Sequence, residues 1–304
     1  MQASIAINNR CNFKCKMCDY GNHIKTKGLS TNWDTIKELI PIEWKKIFDD
    51  YGIKKVHING VEPLLYQYID SFLQLFNSSL YVHITTNGWY IDRYLKNIFD
   101  NVNYLTVSID GLRETHDKIR GVKGSFDKAI SGVEKLRALG MKNIRISFAI
   151  TPDNIKDIKE VYNISKKLGI KMIFNHYNYI AGETNLGYNL NEINLEELNQ
   201  QIRECELANF SPYLKNLREL NIYYKTSPYK LILKKCAVIE QTLLNKHCTL
   251  NSEGKFIISA RCWMNISSED LLSKNNEFLN FASKIQKGLP YKCQRLCCAG
   301  KAIK

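Results

Sequence analysis

The strongest constraint on the fold is an alternation of short apolar runs with helical patterns over roughly the first 180 residues. The predicted strands are residues 4–7, 55–59, 81–85, 104–109, 144–150 and 171–175. Between them lie predicted helices at residues 33–51, 66–76, 91–99, 125–139 and 155–168. Such alternation indicates parallel strands joined by right-handed crossovers. We therefore predict an α/β fold, a partial (β/α)6 TIM-like barrel with its site at the C-terminal ends of the strands.

The pattern changes beyond the sixth strand. Before that point, in the predicted helix at residues 33–51, Pro41 predicts a kink. A helix is predicted again at residues 195–209, and residues 255–259 are predicted to form a strand in a hairpin after the turn at Gly254. We expect three parts: a barrel (1–182), a helical linker region (183–246) and a small cysteine-rich α+β extension (247–304).

Composition narrows the setting of the protein. The chain has ten cysteines, and most crowd its two ends, which favours metal binding in a reducing cytoplasm over a disulfide framework. We find no signal peptide and no apolar run of ~18–20 residues, so we expect a cytoplasmic protein without a membrane partner. The formal net charge of +13 favours anionic partners, but no nucleic-acid-binding motif accompanies it, so nucleic acid is not expected.

Three cysteines directly follow the first predicted strand. Cys11, Cys15 and Cys18 have the spacing C-x3-C-x2-C, so their thiolates can converge on one centre at the mouth of the barrel. Structural zinc normally takes four protein ligands, whereas three thiolates suit a [4Fe–4S] cluster with one open iron. Zinc remains the alternative for these cysteines.

The motifs after the strands make this chain resemble the radical S-adenosylmethionine (radical SAM) superfamily. Gly60-Val61-Glu62-Pro63 follows the second strand where that family carries a GGEP motif, with Val61 in place of the second glycine. Thr85-Thr86-Asn87-Gly88 follows the third strand, and Ser108-Ile109-Asp110-Gly111 follows the fourth. His116-Asp117 and Arg120-Gly121 continue the pattern.

The resemblance implies S-adenosylmethionine as cofactor and a set of residues that bind it. Glu62 is expected to contact its amino group, Ser108 and Arg120 its ribose or carboxylate, and Met17 its adenine. The complete set of expected cofactor-binding residues is Met17, Gly60, Glu62, Thr86, Asn87, Ser108, Asp110, Arg120 and Asn154.

The C-terminal cysteines resemble the SPASM/twitch extension of the same superfamily, which holds an auxiliary [4Fe–4S] cluster. The expected ligands are Cys248, Cys262, Cys293 and Cys297, with Cys298 competing with Cys297. A structural zinc at the same thiolates is the alternative. Cys236 and Cys298 are candidate hydrogen-atom donors, and Cys205 reads as an ordinary small hydrophobic residue.

The implied activity is cleavage of S-adenosylmethionine to a 5′-deoxyadenosyl radical that takes hydrogen from a substrate, with a flavodoxin- or ferredoxin-type electron donor. Net oxidation or bond formation is the first hypothesis, and epimerisation with a cysteine hydrogen donor is the second. The cluster motif begins at residue 11, which favours a sugar, aminocyclitol or nucleotide conjugate over a peptide. Peptide maturation, RNA modification and a non-catalytic iron–sulfur protein are the remaining alternatives.

Overall fold

The structure is a computed structural model that describes residues 2–18, 38–176, 188 and 192–205, and the backbone of three further strands. The strands are β1 (Gln2–Ile5), β2 (Lys55–Ile58), β3 (Tyr81–Thr86), β4 (Tyr104–Ser108), β5 (Ile144–Ile150), β6 (Lys171–His176), β7 (Ile232–Leu233), β8 (His247–Leu250) and β9 (Tyr291–Lys292). The α-helices are α1 (Pro41–Asp50), α2 (Ile69–Leu75), α3 (Leu95–Asn101), α4 (Arg113–Arg120), α5 (Ser125–Ala138), α6 (Ile158–Lys167) and α7 (Leu195–Arg203).

One parallel sheet organises the described chain. Its strand order is β6-β5-β4-β3-β2-β1-β8, and every pair in it is parallel. Helices follow the strands in the order expected of crossover connections. The α/β fold predicted from the sequence is therefore confirmed, with one strand more than the six that the alternation predicted. A short antiparallel pair, β7 with β9, lies outside this sheet.

Alternation along the strands divides the sheet into two unlike faces. One face is apolar and buried, as shown by Val82, Ile84, Val107, Ile146 and Phe148. The helices pack their own apolar side chains against this face, so it forms the hydrophobic core. The opposite face carries mostly polar, half-buried side chains.

Pro41 begins a helix, and the predicted kink is wrong. It is the first residue of α1, where its missing N–H costs nothing. Ile40 before it is extended, as residues preceding proline usually are, and it is the N-cap. The Glu43 carboxylate accepts a hydrogen bond from the Ile40 N–H at 2.9 Å and so fixes this start.

Helix α4 was not predicted. It has only two buried side chains, His116 and Ile119, and its other residues are mostly charged. It ends at Gly121, whose φ of 71° is left-handed, and a Cβ there would lie 2.9 Å from the Lys14 carbonyl oxygen. This close approach sets α4 directly against the cysteine loop.

Strand β8 was also not predicted. It pairs with β1 in the register Ala3 to Cys248, so it extends the barrel sheet at the edge next to β1. The predicted hairpin strand at residues 255–259 lies outside the described residues. The domain boundaries remain predictions. In the part of the chain that the structure describes, no helix is both long enough and apolar enough to cross a membrane.

Candidate active site

The cysteine loop leaves the carboxyl end of β1 and is held from two sides. The Lys16 N–H donates to the Ile119 carbonyl of α4 at 2.8 Å, and the Glu62 N–H after β2 donates to the Arg10 carbonyl at 3.0 Å. The Cys18 N–H donates to the Cys15 carbonyl at 3.2 Å, which closes a turn inside the motif. The loop is therefore anchored to the same sheet edge that carries the other predicted motifs.

The three thiols of the loop lie close enough to influence one another. Cys15 is buried, while Cys11 and Cys18 are half-buried. Burial, with smaller contributions from Glu62 and the other two thiols, raises the pKa of Cys11 to about 12. Burial likewise raises the pKa of Cys15. Thiols in this state need a bound cation to lose their protons, which metal coordination provides.

The donor set fits a cluster better than a single ion. Three cysteine thiols lie on one loop, whereas structural zinc normally takes four protein ligands. A single zinc would need its thiolates within about 2.3 Å of one point, whereas in an iron–sulfur cluster each cysteine binds a different iron. Cys11, Cys15 and Cys18 would hold such a cluster.

Arg120 connects this loop to the end of β4. Its Nη1 lies 3.8 Å from the Cys15 sulfur, and its Nη2 lies 2.5 Å from Asp110 Oδ2. The other Asp110 oxygen accepts a hydrogen bond from the Ala149 N–H at 2.7 Å. Burial raises the pKa of Asp110, and Arg120 opposes that rise by stabilising the carboxylate. A fixed cation thus faces the thiol that is most buried.

His116 supports the same segment and was not proposed as a site residue. The Asp110 N–H donates to its Nδ1 at 2.9 Å, so the neutral ring carries its proton on Nε2. Burial and the nearby Arg120 lower the pKa of His116 to about 3, which keeps the imidazole uncharged. Its position in the family motif was the signal available in the sequence.

Glu62 is fully buried at the carboxyl end of β2. Its Oε1 accepts hydrogen bonds from the Leu64 N–H at 3.0 Å and the Thr86 hydroxyl at 2.7 Å. Its Oε2 accepts from the Asn87 N–H at 2.7 Å. Burial raises the pKa of Glu62, and these hydrogen bonds oppose the rise. Within the described residues it makes no ion pair, so its charge lacks a directly bound cation.

The segment after β3 joins Glu62 to the cysteine loop. The Asn87 side chain donates to the Asn12 Oδ1 at 2.9 Å, and the Phe13 ring packs edge-on against Trp89 at 5.9 Å. Asn8, which sequence reasoning missed, donates from its Nδ2 to the Glu62 carbonyl at 2.9 Å. A polar residue directly after an apolar strand was the signal for it.

Asn154 is used entirely within the chain. Its Nδ2 donates to the carbonyls of Asp110 at 2.9 Å and Ala149 at 2.8 Å, and its Oδ1 accepts from the Thr151 N–H at 2.8 Å. It therefore holds the ends of β4 and β5 together. Its predicted contact with S-adenosylmethionine remains a prediction.

Of the remaining predicted cofactor-binding residues, the structure describes Met17, Ser108 and Gly60. Met17 packs half-buried on the core, and Ser108 ends β4. Gly60 has a φ of +110°, and a Cβ there would lie 3.4 Å from the Ala6 Cβ. Cys205 is buried and bonds to the Gln201 carbonyl, as befits a small hydrophobic residue. Five of the predicted C-terminal cysteines lie outside the described residues: Cys236, Cys262, Cys293, Cys297 and Cys298. Of Cys248, which lies in β8, the structure describes the backbone alone.

Comparison with known proteins identifies the class. The model of the radical SAM superfamily matches residues 5–165, which is more than half of the chain. The chain therefore belongs to the radical SAM superfamily, and this membership implies S-adenosylmethionine and a [4Fe–4S] cluster.

Relatives with assigned activities match more than half of the chain. Fe-coproporphyrin III synthase from Methanosarcina barkeri is 30% identical over 199 residues, which are 64% of this chain and 47% of that protein. A GTP 3′,8-cyclase from Aliarcobacter butzleri is 28% identical over 233 residues, 73% of this chain and 68% of that protein. The match thus spans about half the length of the first relative.

Solved structures support the fold over a longer stretch. Streptococcus suis SuiB bound to S-adenosylmethionine superposes with a TM-score of 0.64 at 18% identity, covering 93% of this chain and 67% of that one. A second structure, anSMEcpe with bound AdoMet, gives a TM-score of 0.58 at 15% identity, covering 92% and 80%. At these identities the likeness shows the fold.

Proposed function

We propose that this protein uses a [4Fe–4S] cluster on Cys11, Cys15 and Cys18 to cleave S-adenosylmethionine, and that it abstracts hydrogen from a small polar substrate. When bound there, the cluster and S-adenosylmethionine supply a 5′-deoxyadenosyl radical. We further propose that an auxiliary [4Fe–4S] cluster on the C-terminal cysteines assists net oxidation or bond formation.

The proposal rests on the arrangement of charged side chains around the cysteine loop. The buried Glu62 carboxylate makes no ion pair within the described residues, and the S-adenosylmethionine ammonium group would supply one. Arg120 places a cation against Cys15 and is itself held by Asp110. A structural zinc site needs neither a fixed cation beside its thiolates nor an unpaired carboxylate nearby.

The substrate class rests on the relatives. One is named a GTP 3′,8-cyclase, which supports a nucleotide conjugate. Sugars and aminocyclitols belong to the same class of small polar molecules. SuiB has also been solved with a precursor peptide, so a peptide substrate is the second candidate. A flavodoxin- or ferredoxin-type protein is the proposed electron donor.

Anaerobic turnover of the reconstituted protein tests the proposed cleavage. With dithionite and S-adenosylmethionine, we expect 5′-deoxyadenosine and methionine, measured by liquid chromatography and mass spectrometry. Replacing Cys15 with Ala should abolish both products, whereas Cys205→Ala, a matched change at a buried thiol outside the loop, should not. Undiminished cleavage by Cys15→Ala would contradict the assignment of the loop.

Turnover in D2O separates the two reaction types. Oxidation predicts a product that has lost two hydrogen atoms and gained no deuterium. Epimerisation predicts an isomeric product with one deuterium, and loss of that deuterium when the donor thiol, Cys236 or Cys298, is replaced. A singly deuterated isomer from the unaltered protein would overturn the preference for oxidation or bond formation.

A further inference from the structure

The polar face of the sheet carries a connected row of side chains away from the cysteine loop. On this face the His57 and His83 rings stack at 3.9 Å with an angle of 5° between their planes. The His83 ring then meets Tyr104 edge-on at 5.1 Å. The Arg145 guanidinium lies 5.1 Å from the centre of the Tyr104 ring. The row therefore crosses four adjacent strands, from β2 to β5.

Thr106 joins two members of this row, His83 and Arg145, to each other. Its hydroxyl lies 2.7 Å from His83 Nε2 and accepts a hydrogen bond from Arg145 Nε at 2.8 Å. The Thr106 hydroxyl has one proton and two lone pairs, so it can accept from Arg145 and either donate to His83 Nε2 or accept from it. Arg145 therefore uses Nε within the row, and in the described part of the chain its two Nη groups have no hydrogen-bond partner.

The charged side chains that strands β1–β6 place on this face are all cationic. Arg145 is in register with Lys171 on β6, and parallel register places both side chains on the same face. Lys55 lies on this face of β2, with its Nζ over the Tyr81 ring. The six strands β1–β6 contain no Asp or Glu. A half-buried cation beside a second cation attracts an anion.

The position of Arg145 along β5 sets the length of a ligand that could reach from Arg145 to the carboxyl edge of the sheet. It lies five residues before the end of β5, about 16 Å below the carboxyl edge at ~3.3 Å per residue. Between Arg145 and that edge, the same face carries Ser147, whose hydroxyl accepts a hydrogen bond from Asn175 Nδ2 at 2.5 Å. Nearer the edge this face of β5 carries Ala149, so only small side chains stand between Arg145 and the carboxyl edge on this strand.

We propose that Arg145, together with Lys171 and the Thr106–His83 pair, binds the anionic group of the substrate, a phosphate or a carboxylate, while the reacting end reaches the cysteine loop. This inference rests on the proposed function for the reacting end. The anion site itself is independent of cleavage. The planar guanidinium with two available Nη groups matches two oxygens of either anion.

The test is anion binding to the full, cluster-loaded protein without turnover. Inorganic phosphate and succinate are titrated separately by anaerobic calorimetry, with S-adenosylmethionine present. We expect saturable binding of at least one, and the one that binds distinguishes a phosphate-bearing from a carboxylate-bearing substrate. Arg145→Gln should weaken this binding about tenfold. Arg145→Lys should recover part of the affinity, because lysine restores the positive charge but not the planar pair of Nη donors.

Matched variants distinguish anion binding at the Arg145 site from nonspecific attraction by the net positive charge of the protein. Lys128 is exposed on α5, and Lys128→Gln changes the net charge by the same amount as Arg145→Gln. It should leave the affinity unchanged. Lys171→Gln, at an exposed strand start, tests the row without disturbing its packing and should weaken binding as well.

Three results would overturn the anion site. They are absence of saturable binding of both anions to the unaltered protein, unchanged affinity in Arg145→Gln, and an equal loss in Lys128→Gln. The 5′-deoxyadenosine assay of the same preparations reports on the proposed function. An unaltered protein that binds anion but cleaves no S-adenosylmethionine refutes the proposed function, and the converse refutes the anion site.

Discussion

Arg120 Nη2 lies 2.5 Å from Asp110 Oδ2, and the Asp110 side chain is completely buried. A buried ion pair of this kind is a poor source of net stability, but removing one partner leaves the other charge uncompensated. The pair thus ties the helix that braces the cysteine loop to the end of β4. It also fixes which nitrogen of Arg120 remains for Cys15.

Arg120→Gln is expected to lower the free energy of unfolding by about 3–5 kcal/mol, because it strands the Asp110 carboxylate. The Asp110→Asn/Arg120→Gln double variant should lose less than the Arg120→Gln single variant. Anaerobic urea unfolding measures both. Arg113→Gln is the control, since its ion pair with Asp127 is exposed and should contribute less than about 1 kcal/mol. Equal losses in the single and double variants would refute the coupling.

Glu62→Gln is expected to weaken S-adenosylmethionine binding at least about tenfold while the iron content stays unchanged. It removes the charge that the ammonium group would meet, and a charge-assisted hydrogen bond contributes about 1.5–3 kcal/mol. Equilibrium dialysis measures the affinity. Thr86→Val keeps the charge and removes one hydrogen bond to Glu62, so its effect should be smaller. Unchanged affinity would exclude Glu62 from the site, and lost iron would make its role structural.

The iron content reports on both proposed clusters. Reconstituted protein should hold about eight irons per chain if two [4Fe–4S] clusters form. The Cys11, Cys15 and Cys18 triple replacement with Ala should leave about four, and so should replacement of Cys262 alone if its cluster is lost completely. Cys205→Ala should keep all eight. A triple variant that retains full iron would show that the clusters are held elsewhere.

His83 should make the protein sensitive to acid. Burial, aided by Arg145, lowers its pKa from 6.5 to about 4. Unfolded His83 therefore takes up a proton at higher pH than the folded ring, and stability falls as the pH drops from about 6.5 towards 4. Between pH 7.5 and 5.5 this group should cost about 1 kcal/mol. His83→Gln should lose that much less over the same interval in urea unfolding; an unchanged pH slope would rule out the effect.

The sequence predicted the barrel because its strands differ sharply from their surroundings. Apolar runs such as the one in β5 produce a strong pattern, and the structure confirms its bounds, Ile144–Ile150. Helix α4 has no such pattern, since its charged residues are stabilised by two buried side chains and by a close contact with the cysteine loop. A helix held by tertiary contacts of this kind shows little periodicity of apolar residues in its sequence.

The site was predictable as a set of positions but not as a set of contacts. The motifs located Glu62 and Asp110 at the same sheet edge, where the structure places them. They did not reveal that the Asn154 side-chain amide would form hydrogen bonds with two carbonyls and one N–H of the same chain. They also missed the Arg145 row, because strand residues that alternate with apolar ones give no motif.

The pairing of β1 with β8 has a consequence for synthesis. Gln2 leaves the ribosome before its partner His247, which follows 245 residues later. At ~5–20 residues per second, β1 then waits about 12–50 seconds with one edge unpaired. Unpaired strand edges recruit other chains, so nascent or truncated products that end before residue 247 should aggregate more readily than the full chain.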